Sequence, residues 1–91
     1  MLLMVIERFK QGAEPVGARW RERGRMMPDG VAYLASWLEP SGERCFQLME
    51  AASPEALRPW MDQWSDLMDF EVSEVLTSQD FWAMRGGRPK D

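Results

Sequence analysis

Apolar residues along this chain fall into short runs with strand-like patterning and two stretches with helical spacing. The strand-like runs are residues 2–9, 31–39, 43–50 and 69–77. Apolar positions that include β-branched residues, over short runs bounded by turn residues, are typical of β-strands. The second and third runs are separated only by Pro40, Ser41 and Gly42. The pattern therefore predicts four strands, with a hairpin in the middle of the chain.

Two helices are predicted between these strands. The first covers residues 15–27, because Pro15 suits the first turn of a helix and Pro28-Asp29-Gly30 is turn chemistry that ends one. The second begins after Ser53, and its apolar residues recur at spacings of three and four. That stripe consists of Leu57, Trp60, Met61, Trp64, Leu67 and Met68.

The order strand, helix, strand, strand, helix, strand is the ferredoxin-like plan, an α+β fold with a four-stranded antiparallel sheet. Right-handed crossovers place both helices on one face and give the strand order 4-1-3-2. We assign this domain to residues 1–77. Residues 78–91 form a C-terminal extension, with one helical turn at 78–83 and a partly disordered end from Arg85.

Two helices leave the second face of the sheet without a cover. We expect that face to carry Val5, Phe9, Tyr33, Trp37 and Met49. We expect Phe46 and Leu48 to point to the helices, which turns Cys45, Gln47 and Met49 away from them. An apolar face of this kind favours a homodimer in which two sheets form a dimeric α/β barrel.

Composition excludes several classes of function. The chain has 91 residues, enough for one domain, and its net charge of −4 argues against nucleic acid as a partner. It has no histidine and one cysteine, which removes histidine-dependent catalysis, histidine-bound metals and an internal disulfide. Its carboxylates have no spacing typical of a metal site, so neither a metal nor another cofactor is expected. No apolar run is long enough to span a membrane, which predicts a cytoplasmic protein.

Four segments resemble a bacterial family of about ninety residues that is known as the domain of unknown function numbered 3303. They are Met4-Val5-Ile6-Glu7-Arg8-Phe9-Lys10, Gly24-Arg25-Met26-Met27-Pro28-Asp29-Gly30, Arg44-Cys45-Phe46-Gln47-Leu48-Met49-Glu50 and Trp64-Ser65-Asp66-Leu67-Met68-Asp69-Phe70-Glu71-Val72. The resemblance runs from Met1 to about Thr77. That family is similar in plan to the dimeric α/β barrel superfamily, so the resemblance implies that fold. It implies no activity.

Glu7, Cys45 and Gln47 are the polar candidates for a site. If Glu7 faces a semi-dry interior, desolvation would raise its pKa and suit it to proton transfer; otherwise it is a solvated residue at the rim. An inward Gln47 needs a partner, which is either a ligand or a structural group. Cys45 has no histidine to activate it and is interpreted chiefly as a small buried group.

Tyr33 and Trp37 are expected on one face of the second strand, either as the walls of a pocket for a flat ligand or as packing in a dimer core. Arg19, Arg21, Arg23 and Arg25 make the first helix basic. They either attract the acidic second helix or form an anion site.

Three functions remain open. The first is a barrel that binds a small organic ligand or is purely structural, without demonstrable activity. The second is a cofactor-independent monooxygenase or isomerase that uses Glu7 as its base, with Gln47 and Trp37 positioning the substrate. The third is a protein-interaction module that docks through Phe81 and Trp82.

Overall fold

The computed structural model describes residues 1–87 as a four-stranded antiparallel sheet with helices. The strands are β1 (Leu2–Phe9), β2 (Ala32–Leu38), β3 (Arg44–Glu50) and β4 (Met68–Val75). The helical elements are α1 (Ala13–Arg23), a short 3-10 helix (Pro54–Leu57), α2 (Arg58–Asp62) and α3 (Ser78–Met84). The α+β ferredoxin-like prediction is confirmed. The expected disorder at residues 88–91 lies outside the described residues.

The sheet has the order β2-β3-β1-β4, which is the predicted order read from the opposite edge. β1 is central and pairs antiparallel with β3 and with β4. In the register of these pairs Glu7 lies directly opposite Cys45 on one side and Phe70 on the other, and Val5 lies opposite Gln47. The first and third strands are therefore neighbours at the sheet centre, as predicted.

The core lies between the sheet and the helices, and it uses the faces of β1 and β3 that we expected to be uncovered. Leu3, Val5 and Met49 are fully buried and belong to one cluster with Trp60 and Trp64. Phe9 and Cys45 belong to the same cluster. The assignment of Val5, Phe9, Cys45, Gln47 and Met49 to the face away from the helices was therefore wrong. Phe46 and Leu48, which alternate with them, lie on the uncovered face.

The choice of face was ambiguous from the residue pattern because both faces of these strands are apolar. On β1, Leu2, Met4 and Ile6 are as hydrophobic as Leu3 and Val5. On β3, the face with Phe46 and Leu48 is the more hydrophobic, which favoured placing it against the helices. The structure instead packs the rings of Trp60 and Trp64 over the face whose β3 residues include the small Cys45.

A β-bulge at Leu34 separates Tyr33 from Trp37. Tyr33 pairs with Met49, and the next paired residue, Ala35, lies opposite Leu48. The extra residue shifts the alternation by one position, so Tyr33 lies on the helix side whereas Trp37, opposite Phe46, lies on the uncovered face. The expectation that both share one face was wrong for this reason.

The second helical segment is shorter than its stripe predicted. Leu57, Trp60, Trp64, Leu67 and Met68 are buried, which confirms the predicted apolar face. The segment nevertheless divides into the 3-10 helix and α2, and it ends at Asp62. The prediction overlooked Pro59, which has no backbone N–H and fits an α-helix only in its first turn. Trp64 and Leu67 reach the core from turns after α2.

Helix α1 starts and ends earlier than predicted, and Gly24 follows it with φ 69° and ψ −161°. This region of backbone conformations is essentially restricted to glycine. The chain then runs through Arg25 and Met26 in a non-helical segment before β2. Outside the core, both guanidinium nitrogens of Arg19 bind the Asp66 carboxylate at 2.7 Å. This pair joins α1 to the turns after α2, as the opposite charges of the two segments suggested.

Candidate functional site

A cavity of about 280 Å³ lies between α1 and the sheet. Its floor is formed by three side chains of the central strands, Glu7, Cys45 and Gln47, and by Phe9 at the end of β1. One wall is formed by helix α1 and the segment after it, and the other by the rings that follow the 3-10 helix. The wall residues are Ala13, Val16, Gly17, Trp20, Arg25, Ser36, Leu38, Trp60, Trp64 and Met68. Trp20 is 48% exposed and Leu38 is 56% exposed, so the cavity reaches the surface between them.

Glu7 is the buried carboxyl group of this cavity, with 5% of its surface exposed. Burial raises its pKa from 4.5 to about 7, because removal from water disfavours the charged form. The Cys45 thiol opposite, which can donate to the carboxylate, and the positive charge of Arg25 lower the pKa in part. Glu7 is therefore not a solvated residue at the rim, and near neutral pH it changes readily between acid and carboxylate.

Arg25 is held at the cavity by aromatic rings. Its guanidinium carbon lies 3.8 Å from the centre of the Tyr33 ring and 5.7 Å from that of Trp20. The backbone carbonyl of Arg25 accepts a hydrogen bond of 3.2 Å from Nε1 of the buried Trp64. The non-helical segment after Gly24 thus fixes the position of a half-buried cation above the sheet.

Glu7, Arg25 and Gln47 do not satisfy one another. Among residues 1–87, no carboxylate forms an ion pair with Arg25, and no nitrogen or oxygen donor binds the Glu7 carboxyl. Within the same range, the Gln47 amide donates only to the Met49 sulfur, at 3.4 Å. In the same part of the chain, every side-chain nitrogen or oxygen without accessible surface has a hydrogen-bond partner. The Glu7 oxygens and Gln47 Oε1 must therefore reach the open space of the cavity.

Cys45 contributes shape more than reactivity. It is 5% exposed, and burial together with the neighbouring Glu7 raises its pKa to about 12. Such a thiol stays protonated at neutral pH and is a poor nucleophile. Within the described part of the chain, no group of three His, Cys, Asp or Glu residues is placed to hold a metal ion.

The structure thus brings together three of the five residues that the sequence indicated, Glu7, Cys45 and Gln47. Tyr33 is near them without lining the cavity. It supports Arg25 and donates or accepts a hydrogen bond of 2.7 Å with Ser36, which does line the cavity. Trp37 lies on the other face of the sheet and takes no part.

Sequence reasoning missed Arg25, Trp20 and the two buried tryptophans as parts of a site. Arg25 was assigned to a continuous helix with Arg19, Arg21 and Arg23. The signal that separates it was present, because Gly24 interrupts that basic run. Trp60 and Trp64 were correctly predicted as core residues, but only the structure shows that their packing leaves a cavity beneath α1.

A family model matches this chain over residues 1–87, and its description is Domain of unknown function (DUF3303). The chain belongs to this family. The match extends ten residues beyond the segments that resemble the family, and it includes α3. Membership in DUF3303 assigns no reaction, ligand or partner. Comparison with curated proteins and with solved structures finds no significant match in either case. No helix of residues 1–87 is long and apolar enough to cross a membrane.

Proposed function

We propose that this DUF3303 protein binds a small organic ligand in the cavity between α1 and the sheet. The observation that carries the proposal is the combination of open space with unsatisfied polar groups. An apolar cavity of about 280 Å³ has a buried carboxyl, an amide oxygen and a guanidinium at its edge. Ligand sites typically combine apolar walls with a few convergent polar groups, and their volumes begin at about 300 Å³.

The energetics of Glu7 support this proposal. A carboxyl group kept in an apolar cavity costs stability at neutral pH, where it would ionise in water. A purely structural core would be more stable with an apolar residue at this position. Perturbed titratable groups that face clefts are concentrated at functional sites. The buried Glu7 therefore favours ligand binding over the purely structural alternative.

The test is a titration of aromatic fragments against protein labelled with 13C at the glutamate side chains. Ligands are expected to shift the Glu7 carboxyl resonance and the indole resonances of Trp60 and Trp64. The variant Val16→Trp should fill the cavity from α1 and abolish these shifts. Its matched control is Ala18→Trp, which adds the same ring on the exposed side of α1. A library that shifts none of these resonances would contradict the proposal.

Proton transfer is the second candidate function, because Glu7 has a pKa of about 7 in an apolar cavity and Gln47 lies beside it. A base with this pKa suits the abstraction of a proton next to a carbonyl group, as in an isomerase or a cofactor-independent monooxygenase. Trp37 cannot position the substrate, contrary to the sequence-based hypothesis. The test is deuterium exchange into small enolisable ketones. Exchange that wild-type protein accelerates and Glu7→Gln does not would favour this candidate.

Self-association is a further part of the proposal. The uncovered sheet face presents Met4, Ile6, Phe46, Leu48 and Trp37. An apolar face of this extent favours a homodimer of the dimeric α/β barrel type. The alternative of an interaction module is favoured by one feature, namely that Trp82 on α3 is 49% exposed. Location in the cytoplasm stays a prediction from the sequence.

A further inference from the structure

From the placement of Arg25 and Glu7 on one cavity, we infer that the ligand is a small aromatic monoacid. Its carboxylate pairs with Arg25 and accepts a hydrogen bond from protonated Glu7. This inference rests on the proposed function, since it names the ligand class of the same cavity.

Arg25 supplies a fixed positive charge at the cavity. A guanidinium stays charged at all physiological pH values and offers five N–H donors in a plane. In Arg25 one face of that plane is covered by Tyr33 at 3.8 Å. The N–H groups at its edge bind no carboxylate among the described residues. A planar carboxylate is the partner whose geometry fits such an edge, because it can accept two parallel hydrogen bonds.

The Glu7 carboxyl group does not itself pair with the Arg25 guanidinium. Glu7 and Arg25 influence each other electrostatically, yet they form no ion pair in the structure. Both side chains line the same cavity. A ligand carboxylate placed there would face one cation and one carboxyl group. The arrangement avoids like-charge repulsion only when Glu7 is protonated, in which form it donates a hydrogen bond.

The remaining walls select the body of the ligand. Trp20, Trp60, Trp64 and Phe9 are aromatic, and Val16 and Met68 are aliphatic. A cavity of about 150 Å³ is sufficient for benzene. The present cavity, of about 280 Å³, therefore has room for one or two fused rings. Among the described residues, no second cation lines the cavity. This argues against ligands of higher negative charge, such as diacids and phosphate esters.

The other titratable groups around Glu7 do not change the expected charge balance. β3 contributes Cys45, whose thiol stays protonated because its pKa is about 12. The segment after α1 contributes the cation Arg25. The neighbouring residues from β4 and from the segment around α2 are the uncharged Phe70, Trp60 and Trp64. On α1, Arg19 is occupied by Asp66 outside the cavity. The protonation of Glu7 is therefore the step that couples to binding.

The experiment uses the full chain and three probes with the same ring system, 1-naphthoate, 1-naphthylmethanol and 1-naphthylmethylammonium, measured by isothermal titration calorimetry. At pH 6 we expect 1-naphthoate to bind most tightly. Its affinity should fall about tenfold between pH 6 and pH 8, because Glu7 with a pKa of about 7 loses its proton over that range. Near pH 7, binding should take up about half a proton per ligand, seen as a dependence of the heat on the buffer.

Two variants separate the contributions. Glu7→Gln imitates the protonated acid, so it should bind 1-naphthoate with equal affinity at both pH values. Arg25→Met should lose the preference for 1-naphthoate over 1-naphthylmethanol and keep the affinity for the alcohol. If the alcohol or the ammonium compound binds wild type as tightly as the carboxylate at pH 6, the ligand-class inference is wrong and the cavity still binds ligands. If no probe binds and no fragment shifts Glu7, the proposed function itself fails.

Discussion

Glu7 couples the stability of this protein to pH. The carboxyl group has a pKa of about 7 in the folded chain, against 4.5 when it is exposed to water. The folded state therefore binds more protons than the unfolded state between these two values, and the free energy of unfolding must fall as the pH rises through that range. The chain contains no histidine, so few other groups titrate there.

The first prediction follows from this linkage. The wild-type free energy of unfolding should decrease by on the order of 3 kcal/mol between pH 4.5 and pH 7 and then level off. Glu7→Gln should be at least as stable as wild type at pH 7.5 and should lack this decrease, because its side chain stays neutral. Urea melts at several pH values measure both curves. The control is Glu43→Gln, at an exposed position before β3, whose stability should depend on pH as the wild type does. If the stability of Glu7→Gln also fell with pH as in wild type, Glu7 would not be the group responsible.

The second prediction concerns Trp64, which combines a buried ring with a structural hydrogen bond. The side chain is 4% exposed, and its Nε1 donates to the carbonyl of Arg25 at 3.2 Å. Trp64→Ala should lower the free energy of unfolding by roughly 3–5 kcal/mol, as expected for loss of a large core side chain. Trp82→Ala, on the exposed face of α3, is the control and should change it by less than about 0.5 kcal/mol. Similar losses in both variants in denaturant melts would disprove the assignment of Trp64 to the core.

At the scale of elements, the sequence was sufficient for the number, type and order of the strands. Their apolar runs and the turn residues between them are local signals, and β1 has the predicted bounds. The faces were not predictable in the same way. The choice depends on which of two apolar faces fits the Trp60 and Trp64 rings, and the Leu34 bulge changes the alternation of β2 without any glycine or proline to mark it. These are tertiary effects, which a residue pattern does not record.

The same limit applies to the candidate site. Glu7 and Gln47 were predicted as neighbours because strand order follows from connectivity, and that prediction agrees with the register of β1 and β3. The position of the cavity was not predictable, because it depends on α1 ending at Gly24. Arg25 leaves the basic face of α1 and stacks on Tyr33 only because the chain turns there.

The third prediction tests that turn. Gly24→Ala should lower the free energy of unfolding by about 1–3 kcal/mol, because φ 69° with ψ −161° is strained for any residue with a Cβ atom. Among residues 1–87 no atom lies within 4 Å of the added Cβ, so the expected cost comes from the backbone. Gly87→Ala, where φ is not positive, is the control and should have little effect. Denaturant melts measure both variants, and equal stability of Gly24→Ala and wild type would mean that the segment relaxes without strain.

For the whole molecule, the two faces of the sheet have different roles. The helix side holds the core and the cavity, whereas the other side carries apolar residues that no described helix covers. A chain of 91 residues buries only roughly 60–65% of its unfolded surface by itself, so burial of a second sheet face would add to its stabilisation. The apolar part of this face lies on β1, β3 and β2, whereas on β4 the exposed Glu71 and Ser73 lie opposite Ile6 and Met4.

The fourth prediction is therefore that the protein is a homodimer through the uncovered face. Light scattering should give about twice the chain mass of 10.6 kDa at micromolar concentration. Trp37 is 56% exposed on the uncovered side of the edge strand β2, so Trp37→Glu should shift the equilibrium to monomer, because pairing two sheets would bury the new carboxylate. Trp82→Glu introduces the same change at a similarly exposed ring on α3 and should leave the dimer intact. Dissociation by Trp82→Glu alone would instead assign the interface to α3, and a wild-type monomer would leave the apolar face free for a different partner.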